Sequence, residues 1–341
     1  MDRRDFLKTT GAAAVAAGTA PAATAGEAAP VAAPAVLSGV RELTLSSDRP
    51  SPPGEGADRL ARRIEAATDN RYRVTIAQGG DTELAYGSVW RHAGLHRSFH
   101  VFAGLPLAQG LETSDLQTWL AVGGGSMLWE ELAAEFGHKP LIAGHTGRSA
   151  GVWASARLET VADLVGVRVH AEGLAADVLR ALGAAPTVLS GADLREQLAD
   201  GRLQAAEWLG PIAAAAPDLQ PLAQRLHSPG FNRHGMLISL DVRRPLWDGM
   251  SSADRAIFEG CAAQEYQLSL TDAAAHALIE RQVESPSKWP VRLGWSSKLA
   301  TAFERAAAEA VAAIADIDPT ARRIHDSYHA FRRMLLEPAT A

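Results

Sequence analysis

Apolar residues along this chain follow two alternating periods, one of two residues and one of three to four. Val40 to Leu45 alternates apolar and polar side chains as a half-buried strand does, and Arg71 to Ala77 repeats the pattern. Between them Leu60, Ile64 and Ala67 share one face of Ala57 to Thr68, which predicts a helix and so a β-α-β opening. Pro50, Pro52, Pro53 and Gly54 break the chain ahead of that helix. Leu84 to Val89 and Phe99 to Phe102 read as weaker strands. Helices are predicted over Ser114 to Val122 and Ser126 to Phe136, each with a serine near its start as a cap. Then follow a buried strand at Leu141 to Gly144, a helical turn at Val161 to Leu164 and a strand at Gly166 to His170. A helix over Leu174 to Leu182 ends at Gly183, Pro186 to Leu189 is a strand, and Asp193 to Ala199 is a helix ending at Gly201. Leu203 to Trp208 and Met236 to Leu240 are strands.

Repeated alternation of strand and helix predicts α/β layers with largely parallel sheets. Ser251-Ser-Ala-Asp254 resembles a capping box and opens a helix that runs to about Gln282. Some thirty helical residues span about 45 Å, longer than a small domain is wide, so this helix is expected to bridge two lobes. Lys298 to Ala315 is a last amphipathic helix before Asp318-Pro319, and Thr320 to Met334 is helical with a basic face (Arg322, Arg323, Arg332, Arg333).

The N-terminus changes the picture. Arg3-Arg4, then Phe6-Leu7-Lys8 and a weakly apolar run from Thr9 to Ala23, resemble a twin-arginine export signal, with cleavage expected after Ala25. That run is too short and too rich in Ala and Gly for a permanent span. The expected division is a signal over 1–25, a flexible Ala/Pro linker over 26–39, and about 300 residues able to form two domains in the periplasm. Net charge is −6, and removing Arg3, Arg4 and Lys8 against Asp2 and Asp5 leaves −7. With no basic stripe, nucleic acid is not an expected partner. Cys261 is the single cysteine, so no intramolecular disulfide can form.

Several sharper readings fail on spacing. His92, His96 and His100 would share a helix face, but Gly94 lies between them and Ser98 to Phe102 reads as extended, against a metal site. Gly123-Gly-Gly125 is followed by Leu128 where a dinucleotide fingerprint needs glycine. An exported enzyme would need a cysteine cofactor motif, which a single Cys261 cannot supply, or a defensible pair of carboxylates, which the sequence does not offer.

Eight segments, in order, resemble the extracytoplasmic solute-binding subunits of tripartite ATP-independent periplasmic (TRAP) transporters, particularly the branch that binds lactate and 2-oxo acids. They are Gly104-Leu-Pro-Leu107, Trp119 to Leu132, Phe136 to Gly147, Asp163 to Leu174, Leu182-Gly-Ala-Ala-Pro186, Ala205 to Pro211, Ser228-Pro-Gly230 and Ser327-Tyr-His-Ala-Phe331. The resemblance implies a two-lobe α/β fold of the periplasmic-binding-protein type, with lobes joined by crossing strands and a long helix behind both. On that pattern lobe I is 40–147 plus 236–265, lobe II is 148–235 plus 286–335, and the interlobe helix is 251–282. It also implies a small organic acid as ligand, a membrane permease as partner, no catalysis, and a homodimer as an open alternative. A receptor repurposed as a sensor or scaffold is the rival reading.

Carried over residue by residue, the family's ligand-lining Glu-Trp pair is Glu207-Trp208. The family's Gln falls on Ser149, beside Arg148. Its carboxylate-pairing Arg falls on His170, with Arg168 two residues earlier on the same strand face. Its later Glu falls on Arg233, in the loop that also carries Phe231. Trp90 matches a pocket aromatic of the first lobe, and the segment between Gly80 and Glu83 is shorter by about a helix and a turn. The family also implies a Na⁺ or Ca²⁺ ion beside Glu207. Ca²⁺ takes about 6 to 8 oxygen ligands, so Ser149 and Arg233 at two of the lining positions argue against the ion here.

Overall fold

The computed structural model describes residues 39–47, 55–77, 80–209, 224–283 and 291–337. The export signal, nearly all of the linker and residues 78–79, just before the shortened segment between Gly80 and Glu83, lie outside the described residues. The strands are β1 Arg41–Ser47, β2 Tyr72–Ala77, β3 Leu84–Ser88, β4 His138–His145, β5 Val152–Ala154, β6 Arg168–His170, β7 Ala185–Thr187, β8 Ala205–Glu207, β9 Arg225–Ser228, β10 Leu237–Arg243 and β11 Val291–Gly294. The helices are α1 Gly56–Ala67, α2 Phe99–Ala103, α3 Thr113–Val122, α4 Gly125–Glu135, α5 Leu174–Ala181, α6 Gly191–Ala199, α7 Arg244–Asp248, α8 Ser252–Val283, α9 Ser297–Ala312 and α10 Pro319–Leu336.

Two sheets divide the fold. The first has the order β2-β1-β3-β10-β4 and the second β11-β9-β5-β8-β6-β7. Both are mixed, where the alternation predicted largely parallel sheets. β1 pairs in parallel with β2 and β3, while β10 runs antiparallel between β3 and β4. In the second sheet β6, β7 and β8 are parallel, and β5 is antiparallel to both β8 and β9. The antiparallel members, β10 and β5, lie next to the points where the chain passes between the lobes. An αβ repeat seen in sequence cannot reveal such returning strands.

Each sheet has its own core. Under the first, Leu45, Leu60, Ile64, Leu240 and Phe258 are fully buried. In the second, Val169, Val178, Phe231 and Phe303 close around β6 and α9. A third cluster lies among α2, α3, α4 and α10, where Phe102 stacks between Trp119 (5.6 Å) and Trp129 (5.7 Å) and Tyr328 meets Trp119 edge-on at 5.2 Å. α10 therefore lies on the first lobe's helical layer, whereas the sequence grouped 286–335 with the second lobe.

α8 is 32 residues long, about 48 Å at 1.5 Å per residue. Ser251 caps it by accepting from Asp254 N at 3.0 Å. It is clamped to α1 by fully buried Glu265, which accepts from Arg59 Nε and Nη2, each at 2.7 Å. It then passes beneath the crossing at Gly147, where a Cβ would lie 2.8 Å from Ala273 Cβ.

Three local expectations need correction. Phe99–Ala103 is helical and wholly buried, and a fully buried apolar run carries no period to separate helix from strand. Ser114 and Ser126 lie inside their helices, while Glu112 and Gly124 hold the N-cap positions without a side-chain cap. β5, β9 and β11 have no counterpart in the pattern, because three or four residues are too few to display alternation.

Candidate functional site

Parallel strands β6 and β8 end side by side, with Val169 opposite Ala205 and His170 opposite Ala206. Ligand groups of open α/β sheets belong at such carboxyl ends. Glu207 closes β8 at 1% exposure. Its Oε1 accepts from Asn232 N at 2.9 Å and its Oε2 accepts from Asn232 Nδ2 at 3.1 Å. The same Nδ2 lies 3.4 Å from the carbonyl oxygen of Glu172, in the turn between β6 and α5. Burial pushes the Glu207 carboxyl up to about 7, the Glu172 charge adds to this, and the Asn232 and Ser149 donors oppose it.

Backbone shape makes this approach feasible. A Cβ on Gly230 would lie 2.3 Å from Ser149 Oγ and 2.4 Å from Glu207 Oε1, so only glycine lets the loop come down onto the carboxylate. Ser149 stands at the same point, short enough to leave room.

His170 is fully buried. Its Nδ1 accepts from Leu189 N at 3.1 Å, which places the ring proton on Nε2, 3.7 Å from Glu172 Oε1. The Trp208 ring sits 6.4 Å from it, and the Trp208 indole N–H is buried with no hydrogen-bond partner among the described residues. From the opposite lobe, Trp90 Nε1 donates to Glu172 Oε2 at 3.1 Å. His100 approaches the same turn: a Cβ on Gly173 would lie 4.0 Å from His100 Nδ1 and 2.9 Å from Met236 Cε. Burial lowers His100 to about 4, so it is neutral there.

The structure thus brings together Glu207, Trp208, His170, Ser149 and Trp90. It adds Asn232 and Glu172, which the sequence did not single out. Four expected residues are placed elsewhere. Arg148 is exposed and paired with Glu112 at 3.0 Å, and its Nε reaches the carbonyl of Arg233 at 3.4 Å. Arg233 turns back to donate to His234 Nε2 at 2.9 Å, and His234 itself faces Glu112 at 3.2 Å. Glu112 thus holds Arg148 directly and reaches Arg233 only through His234. Arg168 is exposed at the start of β6, at the end opposite to the site, although it shares the strand face of His170. Phe231 packs in the second lobe's core, edge-on to Phe303 at 4.7 Å, because its carbonyl is pinned by Leu107 N at 2.8 Å. The three histidines at spacing four also diverge: His92 binds Asp241 at 2.6 Å, His96 binds Asp318 at 2.8 Å, and His100 is buried.

A two-lobe α/β body with polar side chains gathered at the ends of parallel strands is the arrangement of a solute receptor. Comparison with known proteins agrees. Residues 69–313 match the model of the bacterial extracellular solute-binding proteins, family 7, and residues 1–20 match the twin-arginine translocation signal. The chain belongs to that family of extracellular solute-binding proteins. It is a periplasmic receptor exported by the twin-arginine route, and it is not an enzyme.

It is 24% identical over 297 residues to a monocarboxylate 2-oxoacid-binding periplasmic protein of Nostoc, covering 82% of this chain and 80% of that one. A TRAP transporter solute-binding protein of Bordetella bronchiseptica, a dimer with calcium and picolinate in one site, superposes with a TM-score of 0.79 at 21% identity, covering 87% and 93% of the two chains. One from Pseudoalteromonas atlantica, with sodium and pyruvate, gives 0.79 at 20% identity, covering 87% and 95%.

The cation seen in those relatives does not suit the groups at this site. Both Glu207 oxygens already accept from N–H donors of Asn232. Among the described residues no group of three or more His, Cys, Asp or Glu could hold a metal, against the 6 or more oxygens Ca²⁺ generally takes.

Proposed function

We propose that this receptor closes its lobes over a small monocarboxylate of the 2-oxo acid type and presents it to a TRAP membrane permease. The observation that carries the reading is the meeting of Glu207 and Trp208, at the end of β8, with Trp90 from the opposite lobe across Glu172. With Arg148 and Arg168 exposed and Arg233 turned to His234, the ligand carboxylate is held by donors of other kinds. The Trp208 indole N–H is one, and the N-terminus of α5, just beyond Gly173, supplies backbone N–H groups and the positive end of a helix dipole. The name carried by the Nostoc relative favours the same ligand class.

A thermal-shift series of pyruvate, lactate, longer 2-oxo acids and dicarboxylates tests this. A true ligand at a hundredfold excess over its Kd adds about 2.7 kcal/mol of stability. The 2-oxo acids should raise the midpoint, and Trp208→Phe should weaken the effect by removing one donor. If dicarboxylates alone stabilise the protein, or no acid does, the ligand assignment is wrong.

A further inference from the structure

We propose that the side-chain amide of Asn232 stands in the place of a cation, so that this receptor takes up its organic acid without Na⁺ or Ca²⁺. The inference rests on the site assigned above and concerns how that site holds its charge.

A cation in such a pocket sits between a buried carboxylate and neighbouring oxygens as a shared positive centre. An amide NH₂ can do the same with two N–H bonds. Asn232 Nδ2 has two oxygen neighbours, Glu207 Oε2 at 3.1 Å and the Glu172 carbonyl at 3.4 Å. Its orientation follows from those neighbours. Turned over, the amide would set Oδ1 against two other oxygens, an unfavourable contact for a residue only 2% exposed.

The second carboxylate oxygen is also committed. Glu207 Oε1 takes the backbone N–H of Asn232 at 2.9 Å, and that donor cannot swing away without moving the loop. The loop is fixed at close range by Gly230, whose missing side chain leaves room for Ser149 Oγ and Glu207 Oε1. A cation entering here would have to expel Nδ2 and face the positive ends of N–H dipoles. After that it would find Glu207 Oε2, the Glu172 carbonyl, a reoriented Asn232 Oδ1 and Ser149 Oγ, still short of the smallest Ca²⁺ shell of about 6 oxygens. Sequence and geometry thus give one account. Ser149 and Arg233 hold positions where the resemblance implies oxygen-bearing Gln and Glu, and the residue before Arg233 supplies neutral N–H donors in place of a cation.

The test has two arms. In the first, the ligand-free protein is melted in choline buffer with chelator, then with CaCl₂ or NaCl at matched ionic strength. The midpoint should move by less than about 1 °C, because a ligand stabilises only the state it binds. This arm needs no ligand, so it decides even if every acid fails to bind, an outcome that would count against the proposed function alone. In the second arm, Asn232→Asp turns the NH₂ into an oxygen at nearly constant shape. The variant should gain calcium dependence, with its midpoint rising on CaCl₂ addition, and Glu207→Gln in the same background should abolish the gain. A calcium- or sodium-dependent midpoint in the wild type that Glu207→Gln removes would overturn the inference. So would a folded N232D protein indifferent to calcium. If N232D does not fold, the wild-type arm alone decides.

Discussion

Replacing Gly230 by alanine should destabilise this receptor far more than one methyl group suggests. The added Cβ would sit 2.3 Å from Ser149 Oγ and 2.4 Å from Glu207 Oε1, whereas ordinary contact begins at 3.4 Å. Both overlaps are about 1 Å deep, and they are not equally easy to relieve. Ser149 is only half-buried and can rotate. Glu207 cannot move without weakening its bonds to Asn232 N and Nδ2. Overpacking costs about 1–3 kcal/mol and a bond to a charged group about 1.5–3, so a total of roughly 3–5 kcal/mol is expected. With about 2.1 cal/mol/K of unfolding entropy per residue over about 300 residues, this lowers Tm by about 5–8 °C. Scanning calorimetry of the mature protein reads the shift. A Ser149→Gly background should recover about 1 kcal/mol through relief of the shared overlap. A fall below about 1 °C, with ligand affinity unchanged, would mean that the loop does not rest on the carboxylate.

Three further outcomes follow from the same geometry. Glu207 is raised from 4.5 to about 7, so the unfolded chain releases this proton first and its contribution to stability falls as pH rises between those values. Glu207→Gln should remove that slope, roughly 3 kcal/mol across the window, in urea titrations at stepped pH. His145 is lowered by burial from 6.5 to about 4, so its contribution is complete above 6.5 and is lost as pH falls toward 4. His145→Asn, which can keep the acceptor for Gly147 N, should flatten the acid limb of the same titration, and an unchanged limb would contradict the assignment. Trp90→Phe removes the only described side-chain hydrogen bond of Trp90, its link to Glu172. Ligand affinity should drop about tenfold or more while the far-ultraviolet spectrum stays the same, with scattering showing a more open mean form.

Much of this molecule is readable along the chain, and the gaps have physical causes. Long elements such as α1, α8 and α9 announce themselves because many residues vote on one period. The three-residue strand β5 carries no such signal, whereas Leu203 to Trp208 reads as a strand after the Gly201 turn and so sets Glu207-Trp208 at the end of β8. Asn232 is invisible in the sequence: one polar residue among Phe231, Arg233 and His234, brought to 2.9 Å from Glu207 only by the folded loop. The sequence points to Arg233, one position away from the residue that meets Glu207. The turn aims residue 232 at the carboxylate and sends 233 back to His234. Glu172 has a usable signal, an acidic residue just after a strand end and before the glycine that starts α5. The arginines mislead because a positive charge near an anion site is attractive on paper, while Glu112 holds Arg148 at the surface.

The placing of β10 governs when the protein can finish folding. Without that strand the first sheet falls into β2-β1-β3 on one side and a lone β4 on the other, since β10 alone joins them. It arrives nearly a hundred residues after β4, once the chain has traced most of the second lobe. No ribosome-bound fragment shorter than residue 243 can complete the first sheet, and such distant pairing is slow to form. An export route that carries finished proteins relieves the chain of making that late closure on the far side of the membrane. The double arginine at the start therefore suits a chain whose first sheet closes only when the strand ending near position 240 arrives.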